Sequence, residues 1–198
     1  MKNSENRRAV VAITGASGAT IAVRLMRDLA LCGAEVFCVE SDASKKITAA
    51  ETGFPDAKSA LESLSPEAAA NARFFGESDW DAPPASGSFE FSAMAVAPCS
   101  MKTLGKLAHS IADNLVVRAA EVALKERRRL VVCPRETPLA LTHIRNMETL
   151  CLAGAVILPP VISFYNKPKT ADDAADFLAA RVALSMGFKP EGFKEWGL

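Results

Sequence analysis

Arg135 and Glu136 are the residues whose types and placement most suggest chemistry. They lie in KERRRLVVCPRETPLALTHIRNM, residues 125–147. The cationic run 125–129 suits a helix C-terminus, where positive charge meets the negative end of the dipole. Residues 130–133 are apolar and long enough for a buried parallel strand. Pro134 removes a donor and is expected to end the ladder. Open parallel α/β sheets bind ligands outside the carboxyl ends of their strands. A guanidinium and a carboxylate at that place would grip an anion and set an acid or base beside it. An ion pair in a surface loop would read the same from this stretch alone.

Other candidates follow other strands. GASGA, residues 15–19, is a tight turn into a helix, with backbone N–H groups and a helix N-terminus that suit an anion. Ser17 stands where a dinucleotide fingerprint would continue its glycine pattern. A mononucleotide phosphate or a flavin edge therefore fits better than a dinucleotide, and a plain strand-to-helix connection is the bland reading. Ser41 follows the second strand, and Glu51 lies on the helix after it. Ser100 is an expected N-cap with hydroxyl and N–H groups open to a phosphate. Arg118 and Lys125 are seven apart and so share one helical face, which for such residues is usually a solvated one. Trp80 opens the Pro- and Ser-rich loop DWDAPPASGS, where an aromatic ring is either a packing anchor or a wall for a ligand.

The elements that must position these groups read as alternating strands and helices. Strands are expected at 9–14, 35–39, 74–75, 93–97, 130–133 and 155–158. Helices are expected from the glycine turn to Gly33, over 42–52, within 55–71, after Ser100, from Asn114 to Lys125, from the Arg135 loop to about Ala153, and from Thr170 to Gly187. Thr170 and Asp173 resemble a capping box. The βαβ start and this alternation predict a Rossmann-like, doubly wound, mostly parallel α/β sheet in one domain over residues 1–198.

The totals exclude several classes. Lys plus Arg equals Asp plus Glu at 23 each, without the basic excess of a nucleic-acid binder. The five cysteines form no CxxC and suit a reducing, cytoplasmic setting. His109 and His143 have no second ligand at metal spacing, so no metal site is expected. The apolar run after Arg8 is cut by Thr14 and Gly15, too short for a signal core. No run approaches a membrane span.

Several motifs in order, GASGA, AAET, DWDAPPASGS, PCSMKTL, DNLVVRAAEVALKERR, RETPL with HIRNM, and GAVILPP with FY, resemble the UbiX-type flavin prenyltransferases. The resemblance runs from Val11 to about Trp196. It implies transfer of a dimethylallyl group from dimethylallyl phosphate to N5 and C6 of reduced FMN. The product, prenylated FMN, would serve a UbiD-type decarboxylase. It further implies a homo-oligomer, typically a dodecamer, with the site at subunit contacts. On matching motifs, Gly15, Ala16, Ser17, Ser41, Ser100, Met101, Thr103 and Arg118 would hold the flavin. Lys125, Arg135, Tyr165 and Arg181 would hold the allylic phosphate. Glu136, Glu51, Ser17 and Trp80 would serve the chemistry. No paired-Asp magnesium motif is present, and cationic side chains would take the metal's place.

Two other readings keep the fold. One is an FMN-dependent decarboxylase of the cysteine-decarboxylase type, which needs a histidine near the first strand; His109 and His143 lie far along the chain. The other is a non-catalytic flavin-binding accessory subunit, which has no use for a second phosphate pocket. The short glycine turn predicts FMN rather than FAD or NAD. Denatured protein should release FMN, and release of FAD, or binding of neither flavin, would overturn this.

Overall fold

The computed structural model describes residues 7–191 and 193. The first six residues and Trp196, where the expected resemblance ends, lie outside them. Strands β1 (Arg7–Ile13), β2 (Ala34–Glu40), β3 (Ala72–Gly76), β4 (Ala93–Cys99), β5 (Arg129–Pro134) and β6 (Val156–Ile157) form one sheet in the order β3-β2-β1-β4-β5-β6. Every pair is parallel, where mostly parallel was expected. The order reverses between β1 and β4, the switch point at which such sheets bind ligands.

Burial on both faces explains the near-continuous apolar strands. Ala9, Val11 and Ile13 of β1 pack on one face, against helices α1 (Ala19–Leu31), α3 (Ala57–Leu64) and α8 (Ala171–Met186). Val10 and Ala12 face the other way, toward α5 (Met101–Ala108), α6 (Leu115–Lys125) and Leu150 of α7 (Leu141–Leu152). Helix α2 spans Asp42–Thr52 as expected, and residues 55–71 resolve into α3 and the short α4 (Pro66–Ala70). The capping box of α8 is formed: Thr170 Oγ1 accepts from Asp173 N at 3.0 Å, and Asp173 Oδ2 accepts from Thr170 N at 3.0 Å.

Three strands differ most from expectation in length. β3 runs over Ala72–Gly76, where 74–75 was expected. β4 runs on through Pro98 to Cys99 because a register shift between Val96 and Cys99 takes the proline out of the ladder, where its missing N–H costs nothing. β6 is two residues long, and Leu158 N still reaches Val132 O at 2.8 Å.

A buried carboxylate locks α2 and α3 to the sheet. Glu40 ends β2 and accepts from Thr48 Oγ1 at 2.9 Å and from Ala57 N at 3.0 Å. Burial pushes its pKa up against those two donors. In the loop after β1, Gly15 lets α2 approach: a Cβ added there would sit 2.9 Å from Ala43 Cβ. Gly15→Ala should therefore displace the start of α2 and cost about 1–3 kcal/mol. Urea unfolding checks this, and an unchanged midpoint would show that the contact relaxes freely.

Candidate active site

Five consecutive strands are each followed at once by a polar residue: Thr14, Ser41, Glu77, Ser100 and Arg135. The parallel register brings their carboxyl ends level, with Ile13 opposite Glu40, Glu40 opposite Gly76, and Cys99 opposite Pro134. Backbone bonds continue beyond the strands. Ser41 N donates to Ile13 O at 3.0 Å, and Arg135 N donates to Cys99 O at 3.1 Å.

Two of the helices that start at this edge receive a carboxylate from elsewhere in the chain. Gly18, at φ 113, begins α1 in a conformation that favours glycine. Its N–H donates to Glu51 Oε1 at 2.8 Å and to Oε2 at 3.1 Å, and Thr20 N donates to Oε2 at 3.2 Å. The Glu51 carboxylate thus lies at the N-terminus of α1, at the turn for which the sequence suggested a phosphate or a flavin edge. At α2, Ser41 Oγ accepts from Ser44 N at 3.2 Å, and Glu77 Oε1 accepts from Asp42 N at 3.0 Å. Glu77 Oε2 also accepts from Asn114 Nδ2 at 2.8 Å, tying α2 to the N-cap of α6.

Helix α5 starts differently. Ser100 Oγ accepts from Thr103 N at 3.2 Å and donates to Thr103 Oγ1 at 3.0 Å. The first-turn amides of Met101 and Lys102 point out of the helix start, since no turn precedes them. Across the switch point, Ser17 stands exposed at the tip of the glycine turn, above buried Ala16. A crevice edged by small residues, hydroxyls and outward amides suits a flavin mononucleotide better than a larger dinucleotide.

Arg118 and Lys125 share a face of α6, as their spacing requires, and both meet the 79–88 loop. Arg118 Nε donates to Ala85 O at 3.0 Å, with Nη1 3.6 Å from Glu121. Lys125 pairs with Glu126, and a Cβ added to Gly87 would come within 2.6 Å of Lys125 Nζ. Trp80, in the same loop, is 48% exposed.

Arg135 and Glu136 are exposed beyond β5, and Glu136 Oε1 accepts from Thr137 N at 3.0 Å. Tyr165 lies exposed in a short 3₁₀ turn, and Arg181 is exposed on α8. One chain does not bring the four expected phosphate ligands together. Lys125 ends α6 just before β5 begins, whereas Arg135 follows its end. Six strand residues at roughly 3.3 Å each separate them by nearly 20 Å.

Sequence reading passed over Thr14, Glu40 and Glu77. Each is a polar residue at or next to the carboxyl end of a strand, a signal that Ser41 and Ser100 share. His143 has a structural role, its Nδ1 accepting from Ala140 N at 3.2 Å before α7. Among the described residues, no cluster of three His, Cys, Asp or Glu side chains is placed to hold a metal ion.

Removing the internal anion tests its importance. Glu51→Ala leaves two amides at α1 without their acceptor and should cost about 0.5–2 kcal/mol. Glu51→Gln keeps an acceptor without the charge and should fall between. Denaturant titration decides, and a fully stable Glu51→Ala would mean that solvent replaces the carboxylate.

Comparison with known proteins agrees with this geometry. The Flavoprotein family matches residues 1–182. A flavin prenyltransferase UbiX from Archaeoglobus fulgidus is 44% identical over 190 residues, covering 96% of this chain and 100% of that protein. One from Pseudomonas aeruginosa is 42% identical over 196 residues, covering 96% and 94%. Among solved structures, AnUbiX (PadA1) in complex with FMN and dimethylallyl pyrophosphate superposes with a TM-score of 0.88 at 37% identity, covering 98% of this chain and 99% of that one. A dodecameric FMN-dependent UbiX-like decarboxylase from Escherichia coli O157:H7 gives 0.83 at 37% identity, covering 95% and 99%. An FMN-dependent cysteine decarboxylase, TvaF, at 19% identity and 0.60, shares the fold alone. With identities of this size over nearly its whole length, the chain belongs to the flavoprotein family and, within it, to the UbiX flavin prenyltransferases.

Proposed function

We propose that this protein is a flavin prenyltransferase acting on FMN and dimethylallyl phosphate, with residues 1–198 forming one flavin-binding domain. The observation that carries the reading is the carboxyl edge itself, where the Gly15–Ser17 turn and the Ser100–Thr103 helix start flank the switch point and Arg135-Glu136 adjoins it. The groups there fit an FMN ring and phosphate. Gly15, Ala16, Ser17, Ser41, Ser100, Met101, Thr103 and Arg118 would hold it. With Glu51 and Glu77 already on α1 and α2, the start of α5 is the natural seat for an anionic or electron-rich edge.

Reduced FMN, when bound, supplies N5 and C6 as the atoms to which the dimethylallyl carbons join. The protein's task is to bind, orient and stabilise. Arg135, Tyr165, Arg181 and Lys125 would hold the phosphate and stabilise it as it departs as an anion, the guanidinium giving a two-pronged contact. The face of Trp80 would stabilise positive charge on the dimethylallyl carbons by about 0.5–2 kcal/mol. Glu136 would take the proton displaced from C6. Ser17 and Glu51 would keep the turn beside the reacting edge in place.

Lys125 lies too far from Arg135 to share a phosphate within one chain, so it would come from a neighbouring copy. The exposed apolar side chains of Leu141, Ile144, Leu152, Val156, Val161 and Phe164 support such assembly. A dodecamer, like that of the solved relative, is the proposed form. A UbiD-type decarboxylase would receive the product. The five free cysteines suit a cytoplasmic protein, and no helix among the described residues is long and apolar enough to cross a membrane.

A decarboxylase reading is supported by the names of two solved relatives, the Escherichia coli one and a phenylacrylic acid decarboxylase from Aquifex aeolicus. Reduced FMN and dimethylallyl phosphate should yield a flavin heavier by the prenyl group, read by mass spectrometry. An unmodified flavin with carbon dioxide released from an added acid would favour the decarboxylase, and flavin binding without either reaction an accessory subunit.

Arg135→Ala and Lys125→Ala should each weaken use of the prenyl phosphate by about 1.5–3 kcal/mol while leaving FMN affinity largely intact. Co-assembling the two variants should restore a minority of complete sites. Equal loss of FMN affinity would mean that these cations hold the flavin phosphate instead. Glu136→Gln should still bind FMN and complete the ring slower by roughly 10²–10⁴. Wild-type rates in a quenched time course would pass the base role to the released phosphate.

A further inference from the structure

We propose that Thr14 is a positioning residue of the flavin crevice, its buried hydroxyl setting the spacing between the Gly15–Gly18 turn and the start of α5. The β1–β4 ladder pairs Ala9 with Ala93 through Ala12 with Val96 and then stops. Just beyond it stands Pro98, which has no N–H to offer. The Pro98 carbonyl and the Ser100 amide would be left without ladder partners at a largely buried edge, where unpaired backbone groups are costly. Thr14 satisfies both. Its Oγ1 donates to Pro98 O at 2.8 Å and accepts from Ser100 N at 2.8 Å. Its own N–H donates to the same carbonyl at 3.3 Å. At 2% exposure, the residue leaves water little room to substitute.

The consequence is geometric. Thr14 is bonded to Gly15 on one side of the switch point, and through its hydroxyl to Ser100 on the other. Ser100 Oγ in turn holds Thr103. Moving the Ser100 amide moves Met101 and Thr103 with it. Only a side chain that both donates and accepts can hold the edge this way. Valine fills the same space and does neither, serine does both, and a thiol does both weakly.

The inference rests on the proposed reading in which Ser17, Ser100, Met101 and Thr103 hold FMN. It is tested with full-length Thr14→Val, Thr14→Ser, Thr14→Cys and Ser100→Ala, well below each variant's melting temperature. FMN affinity is read by fluorescence quenching, and ring orientation by visible circular dichroism of the bound flavin. Thr14→Val should bind FMN about tenfold or more weakly, as expected when the half-buried Ser100 amide loses its acceptor and the Pro98 carbonyl keeps only the longer bond from Thr14 N, with an altered dichroic spectrum. Thr14→Ser should restore affinity and spectrum, and Thr14→Cys should fall between. A merely structural threonine would lower the melting temperature and leave both flavin readouts unchanged. Wild-type affinity and spectrum in Thr14→Val, or a Thr14→Ser as weak as Thr14→Val, overturns the proposal. Should Thr14→Val not fold, wild-type readouts in Thr14→Cys do so. If Ser100→Ala weakens FMN while Thr14→Val does not, the Thr14 inference alone falls. If Ser100→Ala leaves FMN affinity unchanged, the flavin assignment of Ser100 falls and takes the inference with it.

Discussion

Parallel pairing forces the strands to end together, and every backbone group at that shared edge must then find a partner away from the ladder. The register aligns Ile13 with Glu40 and Cys99 with Pro134, so five loops open on one side. Carbonyls left there are taken by the next segment's amides, as Ser41 takes Ile13 and Arg135 takes Cys99. The helix starts at the same edge need anions or side-chain acceptors, and the chain supplies them from Glu51, Glu77, Ser41 and Ser100. A ligand site is what remains where internal acceptors do not reach.

This accounting separates two kinds of acidic residue. Glu40, Glu51 and Glu77 are committed to backbone and side-chain donors of the scaffold. Among the described residues, Glu136 accepts only from the amide of its neighbour Thr137, and it faces solvent in one chain. A carboxylate tied to two amides by three hydrogen bonds, as Glu51 is, orients a turn well and moves protons poorly. One beside an exposed guanidinium on a loop is placed to do the reverse.

The cations follow a similar division. Arg118 has its Nε fixed on the Ala85 carbonyl and so orders the loop that bears Trp80. Among the described residues, Arg135 has only its backbone engaged. Because helix α6 runs back across the sheet before β5, Lys125 is carried to the far end, and assembly of copies is the route by which its charge can join Arg135. The apolar side chains left exposed on α7, β6 and the 161–165 segment are consistent with that need.

Much of this was legible in the residues. Apolar runs bounded by Gly, Pro and Ser placed the strands, and the carboxyl-end rule picked out Ser41, Ser100, Arg135 and Glu136. Those features are local, since a buried strand or a cap is written in a few adjacent positions. What the sequence could not determine was non-local. Glu51 lies 33 residues from the amide that it caps, and nothing in either segment alone names the other. Pro98 was expected to stop β4 and instead sits in a bulge, because only the neighbouring strand shows that its missing donor is not called on. The partners of Thr14 are 84 and 86 residues away. Spacing put Lys125 and Arg118 on one face correctly. The strand read between them already set Lys125 and Arg135 at its opposite ends, and only the tertiary structure brought Lys125 against the 79–88 loop, because packing of α6 on that loop is a contact between distant segments.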